Sequence, residues 1–241
     1  MLELKELVWK IPDGDTIIDG ISCRLDSRLT VITGPNGGGK TSLAKLIAGV
    51  EKPTGGRIIL DGTDITDMDI TGRAKLGIAY AFQQPVRFKG LTVRDLLELS
   101  AGKKLAAEET CALLGKVGLC AEEYIDREMS AALSGGEAKR IEIATVLARN
   151  AKLSVFDEPE AGIDLWSFAR LVETFAHPIT IPTRRASDKC PVDARTPADT
   201  QADVVHRKPA DKSIIPDTIS IVSPHAIIVT TEICFKILSR F

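Results

Sequence analysis

Gly34-Pro35-Asn36-Gly37-Gly38-Gly39-Lys40-Thr41 decides how this chain is read. It fits G-x-x-x-x-G-K-[ST], and its setting is that of a phosphate loop. Leu29 to Thr33 before it is a short β-rich run. Residues 41–50 after it place Leu43, Leu46 and Ile47 on one helical face. Glycines let consecutive backbone N–H groups converge on phosphate oxygens, and the start of the helix adds partial positive charge. Lys40 is placed to bridge the β- and γ-phosphates of a nucleotide, and Thr41 to give its hydroxyl to Mg²⁺, with Ser42 next in the same turn. The competing reading is a plain glycine-rich turn, and the flanking strand and helix weigh against it.

Leu153-Ser154-Val155-Phe156-Asp157-Glu158 is a short hydrophobic run ending in two acids. Asp157 at the tip can hold Mg²⁺ opposite Thr41, and Glu158 can polarise an attacking water. Alone, such a pair is equally a helix cap. Following a phosphate loop, it points to nucleotide chemistry.

A second glycine motif, Leu133-Ser134-Gly135-Gly136-Glu137, precedes a helix over 137–149 with Ile141, Ala144, Leu147 and Ala148 on one face. Ser134 and Glu137 have the spacing of a capping box. The glycine pair adds open N–H groups at a helix start, which is also an anion site. One chain needs one γ-phosphate site, so a second suggests service to a nucleotide held by a partner.

The rest of the composition narrows the class. The chain has 241 residues, 44% hydrophobic, with a formal net charge of −2. That balance excludes the basic excess of a nucleic-acid binder. The five cysteines are odd in number and show no C-x-x-C spacing, which predicts reduced thiols in a cytoplasmic protein. No apolar run reaches the ~18 residues of a membrane helix, so no direct membrane insertion is expected; a membrane component would be a separate chain. Strand-like segments at 1–33, 57–60, 77–82 and 153–156 alternate with helical ones at 41–50, within 91–128 and at 137–149. That order predicts an α/β fold with a mainly parallel core sheet, an antiparallel β subdomain at the N-terminus and a small helical subdomain.

Taken together, GPNGGGKT (34–41), FQQP (82–85), LSGGEAKR (133–140), LSVFDEP (153–159) and EAGID (160–164) resemble, in order, the nucleotide-binding domain of the ABC ATPases, a P-loop NTPase fold, over residues 1 to about 175. The resemblance implies ATP and Mg²⁺ as ligands and ATP hydrolysis as the activity. It implies that Gln83 reaches Mg²⁺ and the water. It also implies that Ser134, Gly135, Gly136 and Glu137 face the ATP of an opposing protomer in a head-to-tail dimer, and that Asp164 communicates across it. Trp9 lies near the place where the family stacks an aromatic ring on adenine; the other reading is a half-buried edge-strand residue. The implied layout is an ATP-binding core at 1–90 and 133–176, a helical subdomain at 91–132 and an atypical tail at 177–241. MLELKEL, AFQQPV and SGGEAKRIEIA are similar to the Suf-type (SufC-like) ATPases of iron–sulfur cluster assembly, which would make a SufB- or SufD-like scaffold the partner. The alternatives are the ATP-binding subunit of a transporter, peripheral to the membrane through a permease chain, and a nucleotide-binding subunit with little turnover.

The resemblance fails beyond Phe175. Seven of the twelve prolines lie from Pro178 onward, and 177–212 sustains no apolar period, which predicts loop or disorder and a poorly packed tail. The family carries a histidine against the γ-phosphate at the end of an apolar strand. His177 is too early and His206 sits in a polar stretch. His225 has the best context, although it is 67 residues after Glu158; it is read as that histidine or as a surface residue.

Overall fold

A computed structural model of the chain describes residues 1–163, apart from 13, 28 and 131, and residues 225–230. In β1 (Leu2–Lys10), Leu2, Leu4 and Leu7 are all buried, although a flat strand would turn Leu7 to the other face from the first two. A bulge resolves the conflict. The register against β2 (Thr16–Leu25) shifts between Leu4 and Leu7, and Glu6 has φ 46°. Opposite lies Gly56 of β4 (Gly55–Leu60), where a Cβ would fall 2.2 Å from the Glu6 carbonyl oxygen. With β5 (Thr63–Asp64) these strands form an antiparallel sheet in the order β2-β1-β4-β5.

The second sheet is parallel. It contains β3 (Leu29–Ile32), β6 (Ile78–Ala81), β7 (Leu153–Asp157) and β8 (His225–Val229), in the order β3-β8-β7-β6. Its strands are mostly apolar, with Thr30 and Ser154 buried among the aliphatic residues, because both faces are covered. Along β8, Ala226 and Ile228 pack on one side and Ile227 and Val229 on the other. Burying such aliphatic side chains stabilises the fold by about 1.5–3 kcal/mol each. The expectation of a poorly packed tail does not hold for this segment, which is an inner strand of the sheet. The remainder of 164–241 lies outside the described residues.

Helix α1 (Lys40–Ala48) sits between the two sheets, its Leu43, Ala44, Leu46 and Ile47 sharing a core with Leu4, Ile18, Val155 and Ile227. A stretch to which the sequence reading assigns nothing forms α2 (Ile70–Lys75), capped by Asp69. Its fully buried Arg73 donates to the carbonyls of Leu46 and Ile47 in the last turn of α1, where Leu46 O also accepts the cap bond from Gly49 N–H. On the far face of the parallel sheet lie α3 (Val93–Ala101), α4 (Ala107–Lys116), the short α5 (Ala121–Tyr124) and α6 (Gly135–Ala148).

Candidate functional site

The register of the parallel sheet aligns Ile32, Val229 and Asp157 in one row, with Phe156 beside Ala81. The loops leaving β3, β6 and β7 therefore emerge at one edge, the carboxyl ends where ligands bind in such sheets. These are the loops of Gly34–Gly39, Gln83 and Glu158.

Gly37 and Gly39 have φ 79°, a left-handed conformation that glycine adopts without a Cβ penalty. Gly39 caps α1 with no side-chain hydrogen bond, and no acid lies in the first turn, so the amides of that turn face the loop without a competing anion. Buried Lys40 crosses the loop, its Nζ donating to Gly34 O at 2.8 Å and Pro35 O at 2.9 Å. Asn36 is exposed at the tip, while Thr41 and Ser42 are half-buried. Thr41 Oγ1 donates to Asp157 Oδ1 at 3.1 Å.

The Asp157 carboxylate is fully buried, and its other oxygen accepts from Tyr80 Oη at 3.0 Å. Burial pushes its pKa up, against the opposing pull of these two hydroxyls. Glu158 follows with φ 46°, a conformation that costs a non-glycine residue about 1–2 kcal/mol. Its N–H donates to Val229 O at 2.9 Å, and its Oε2 accepts from Gln83 Nε2 at 2.8 Å.

The glycine motif that opens α6 stands apart from this cluster. Ser134 is the N-cap, its Oγ accepting from Glu137 N at 3.2 Å while its own N–H donates to Glu137 Oε2 at 2.7 Å. Tyr124 Oη donates to Glu137 Oε1 at 2.5 Å, and this bond, then those from Ser134, lower the Glu137 pKa to about 2. The capping-box reading is therefore realised. Gly136 has an internal reason too, since a Cβ there would fall 2.5 Å from Gly162 O, whereas one on Gly135 would meet nothing within 4 Å. Among the described residues, no hydrogen bond or ion pair joins Ser134–Glu137 to Lys40, Thr41 or Asp157.

Trp9 is half-buried and pairs with Ile18, and β1 is an inner strand, so the edge-strand reading is corrected. Ile17, next along β2, comes within 3.1 Å of where a Gly39 Cβ would sit, which places Trp9 one strand from the phosphate loop. Asp164 lies outside the described residues. His225 as the γ-phosphate histidine is also corrected. It opens β8 opposite Leu153, four residues before Val229, which puts it about 13 Å along the strand from the site edge. The residue at that edge is Thr230, buried, its N–H donating to Ile32 O at 3.1 Å and its Oγ1 to Glu160 Oε1 at 2.5 Å. Thr230 and Tyr80 were missed in the sequence. The end of the apolar run Ala226–Val229 was the signal for Thr230; nothing in the sequence marked Tyr80.

A family profile described as ABC transporter matches residues 19–161, more than half of the chain. The chain belongs to the ABC transporter family. It is an ATP-binding domain of the ATP-hydrolase type. An uncharacterized ABC transporter ATP-binding protein of Methanocaldococcus jannaschii is 40% identical over 168 residues, covering 66% of this chain and 67% of that protein. A probable ABC transporter ATP-binding protein of Azorhizobium caulinodans is 44% identical over 138 residues, covering 55% of this chain but only 48% of the relative. The structure of an ATP-binding cassette dimer in a post-hydrolysis state, bound to ADP and Pi, superposes with a TM-score of 0.69 at 19% identity, covering 100% of this chain and 90% of that one. At that identity the likeness speaks for the ABC fold alone. No helix among the described residues is long and apolar enough to cross a membrane.

The residues present fit Mg²⁺. A buried carboxylate beside a hydroxyl, at the mouth of a glycine loop, is the hard oxygen donor set such an ion takes. Among the described residues, no group of three or more His, Cys, Asp or Glu side chains is placed to hold a metal ion.

Proposed function

We propose that this chain binds Mg-ATP between its phosphate loop and the end of β7, and hydrolyses it as the ATP-binding subunit of an ABC transporter. The observation that carries the reading is the junction of Thr41 with Asp157, with Gln83 and Glu158 paired alongside. In this reading the amides of Gly34–Gly39 and of the first turn of α1 cradle the phosphates, Lys40 swings from its two carbonyls to the β- and γ-phosphates, and Thr41 and Asp157 hold the ion. Mg²⁺ supplies neutralisation of charge on the transferring phosphoryl group. Glu158 orients the water and accepts its proton, and Gln83 holds Glu158 in position. Ser134 and the amides of Gly135 and Gly136 complete the site of a second copy, giving a head-to-tail dimer around two nucleotides.

The partner in this reading is a membrane permease. The relatives at 40% and 44% identity are named as transporter ATP-binding proteins. Val86 and Phe88, beside the Gln83 loop, and Leu99 on α3 are exposed apolar side chains suited to such a contact. The iron–sulfur assembly reading rests on its sequence words alone, and the relatives favour the transporter. Capture from detergent-solubilised membranes of the source cell separates them. Recovery of a multi-span permease supports the transporter role, and recovery of a soluble scaffold in its place overturns it.

A further inference from the structure

Lys139 lies on α6, five residues beyond Ser134, and its side chain is fully buried. A bare ammonium there would be costly. Its three protons face four acceptors. Nζ donates to Phe82 O, to Gln83 O at 3.4 Å and to Asp157 O at 3.3 Å, and Glu142 Oε2 lies 3.3 Å away as the counter-charge. Glu142 Oε1 accepts from Phe82 N at 3.0 Å. One ion pair on α6 thus holds both backbone groups of Phe82 and reaches the carbonyl of Gln83 itself and that of Asp157, the residue before Glu158. An apolar pair of similar volume would often serve stability as well or better, so the effect of this pair falls on geometry.

We propose that Lys139, held by Glu142, is a positioning residue that fixes the Gln83 loop against the carboxyl end of β7 and so sets the Gln83–Glu158 contact. Because Ser134 opens the same helix, a load on the start of α6 reaches Gln83 through Lys139. The inference rests on the ATPase reading above and deepens it.

The test compares the full chain with Lys139→Met, with Lys139→Met/Glu142→Gln, and with each of these combined with Gln83→Ala. Mg-ATP turnover, nucleotide affinity and amide hydrogen exchange over residues 82–84 are measured. Lys139→Met is expected to lower kcat about tenfold or more with KM within about twofold, and to speed exchange at 82–84 about tenfold. On the Gln83→Ala background it lowers kcat no further. Unchanged turnover, unchanged exchange, or losses that multiply with Gln83→Ala each overturn the proposal. If the parent chain binds ATP without turnover, the ATPase reading fails by itself, and the exchange measurement still decides the clip. Should Lys139→Met not fold, the double variant leaves no buried charge and takes the same measurements.

Discussion

Thr41 and Asp157 are 116 residues apart in sequence and joined by a hydrogen bond of 3.1 Å, with Tyr80 on the far oxygen of the same carboxylate at 3.0 Å. Thr41→Ala removes a proposed metal ligand, and Tyr80→Phe removes only the hydroxyl that orients the other one. Both are expected to weaken Mg²⁺-dependent nucleotide binding about tenfold or more, as loss of a supporting group typically does. Titrating Mn²⁺ into the nucleotide complex by electron paramagnetic resonance measures this; a Tyr80→Phe affinity equal to the parent's would show that Asp157 needs no such support.

Gly136 is needed inside the chain as well as in the proposed dimer. Gly136→Ala sets a Cβ against the Gly162 carbonyl, so a backbone segment must shift. The expected loss is about 1–3 kcal/mol of stability without nucleotide. Thermal unfolding of the nucleotide-free chain reads it; a melting temperature equal to the parent's would leave a role in the dimer as the sole reason for this glycine.

Glu137 titrates far below its ordinary value of 4.5, at about 2, because Tyr124 and Ser134 bond its charged form. A depressed carboxylate contributes stability above its unfolded pKa and loses it as pH falls through the folded one. Glu137→Gln is therefore expected to lower the melting temperature at about pH 6, with the gap to the parent narrowing towards about pH 3. The gap stays small because the group is only partly buried and is screened by solvent. A gap that widened on acidification would reverse the sign.

His225→Ala is expected to leave kcat within about twofold, since the register sets it at the wrong end of β8. Thr230, at the right end, is where substitution should be felt. Steady-state turnover of the two alanine variants settles which end of the strand matters.

The phosphate loop, the two acids after β7 and the capping box were legible because each is local: a run of glycines, an apolar run with acids, a serine three residues before a glutamate. Tyr80 was not, since in an apolar strand it looks like any core aromatic, and its value comes from a partner 77 residues away. Lys139 and Glu142 have only the i,i+3 spacing that many helix surfaces offer, which carries no signal in the sequence, and packing against the Gln83 loop is what buries them. β8 was hidden by the proline-rich stretch before it, because pairing between β3 and β7 is a long-range event that no window of sequence records.

The central claim is that this is a working Mg-ATP hydrolase whose water is handled by Glu158. The direct test is Mg-ATP turnover and ATP affinity of the purified chain beside its Glu158→Gln variant, which keeps the partner for Gln83 but removes the base. The account predicts measurable turnover in the parent, a loss of about a hundredfold or more in the variant, and ATP affinity unchanged between them. Tight ATP binding with no turnover in either protein would contradict it, and would make the chain a nucleotide-binding subunit.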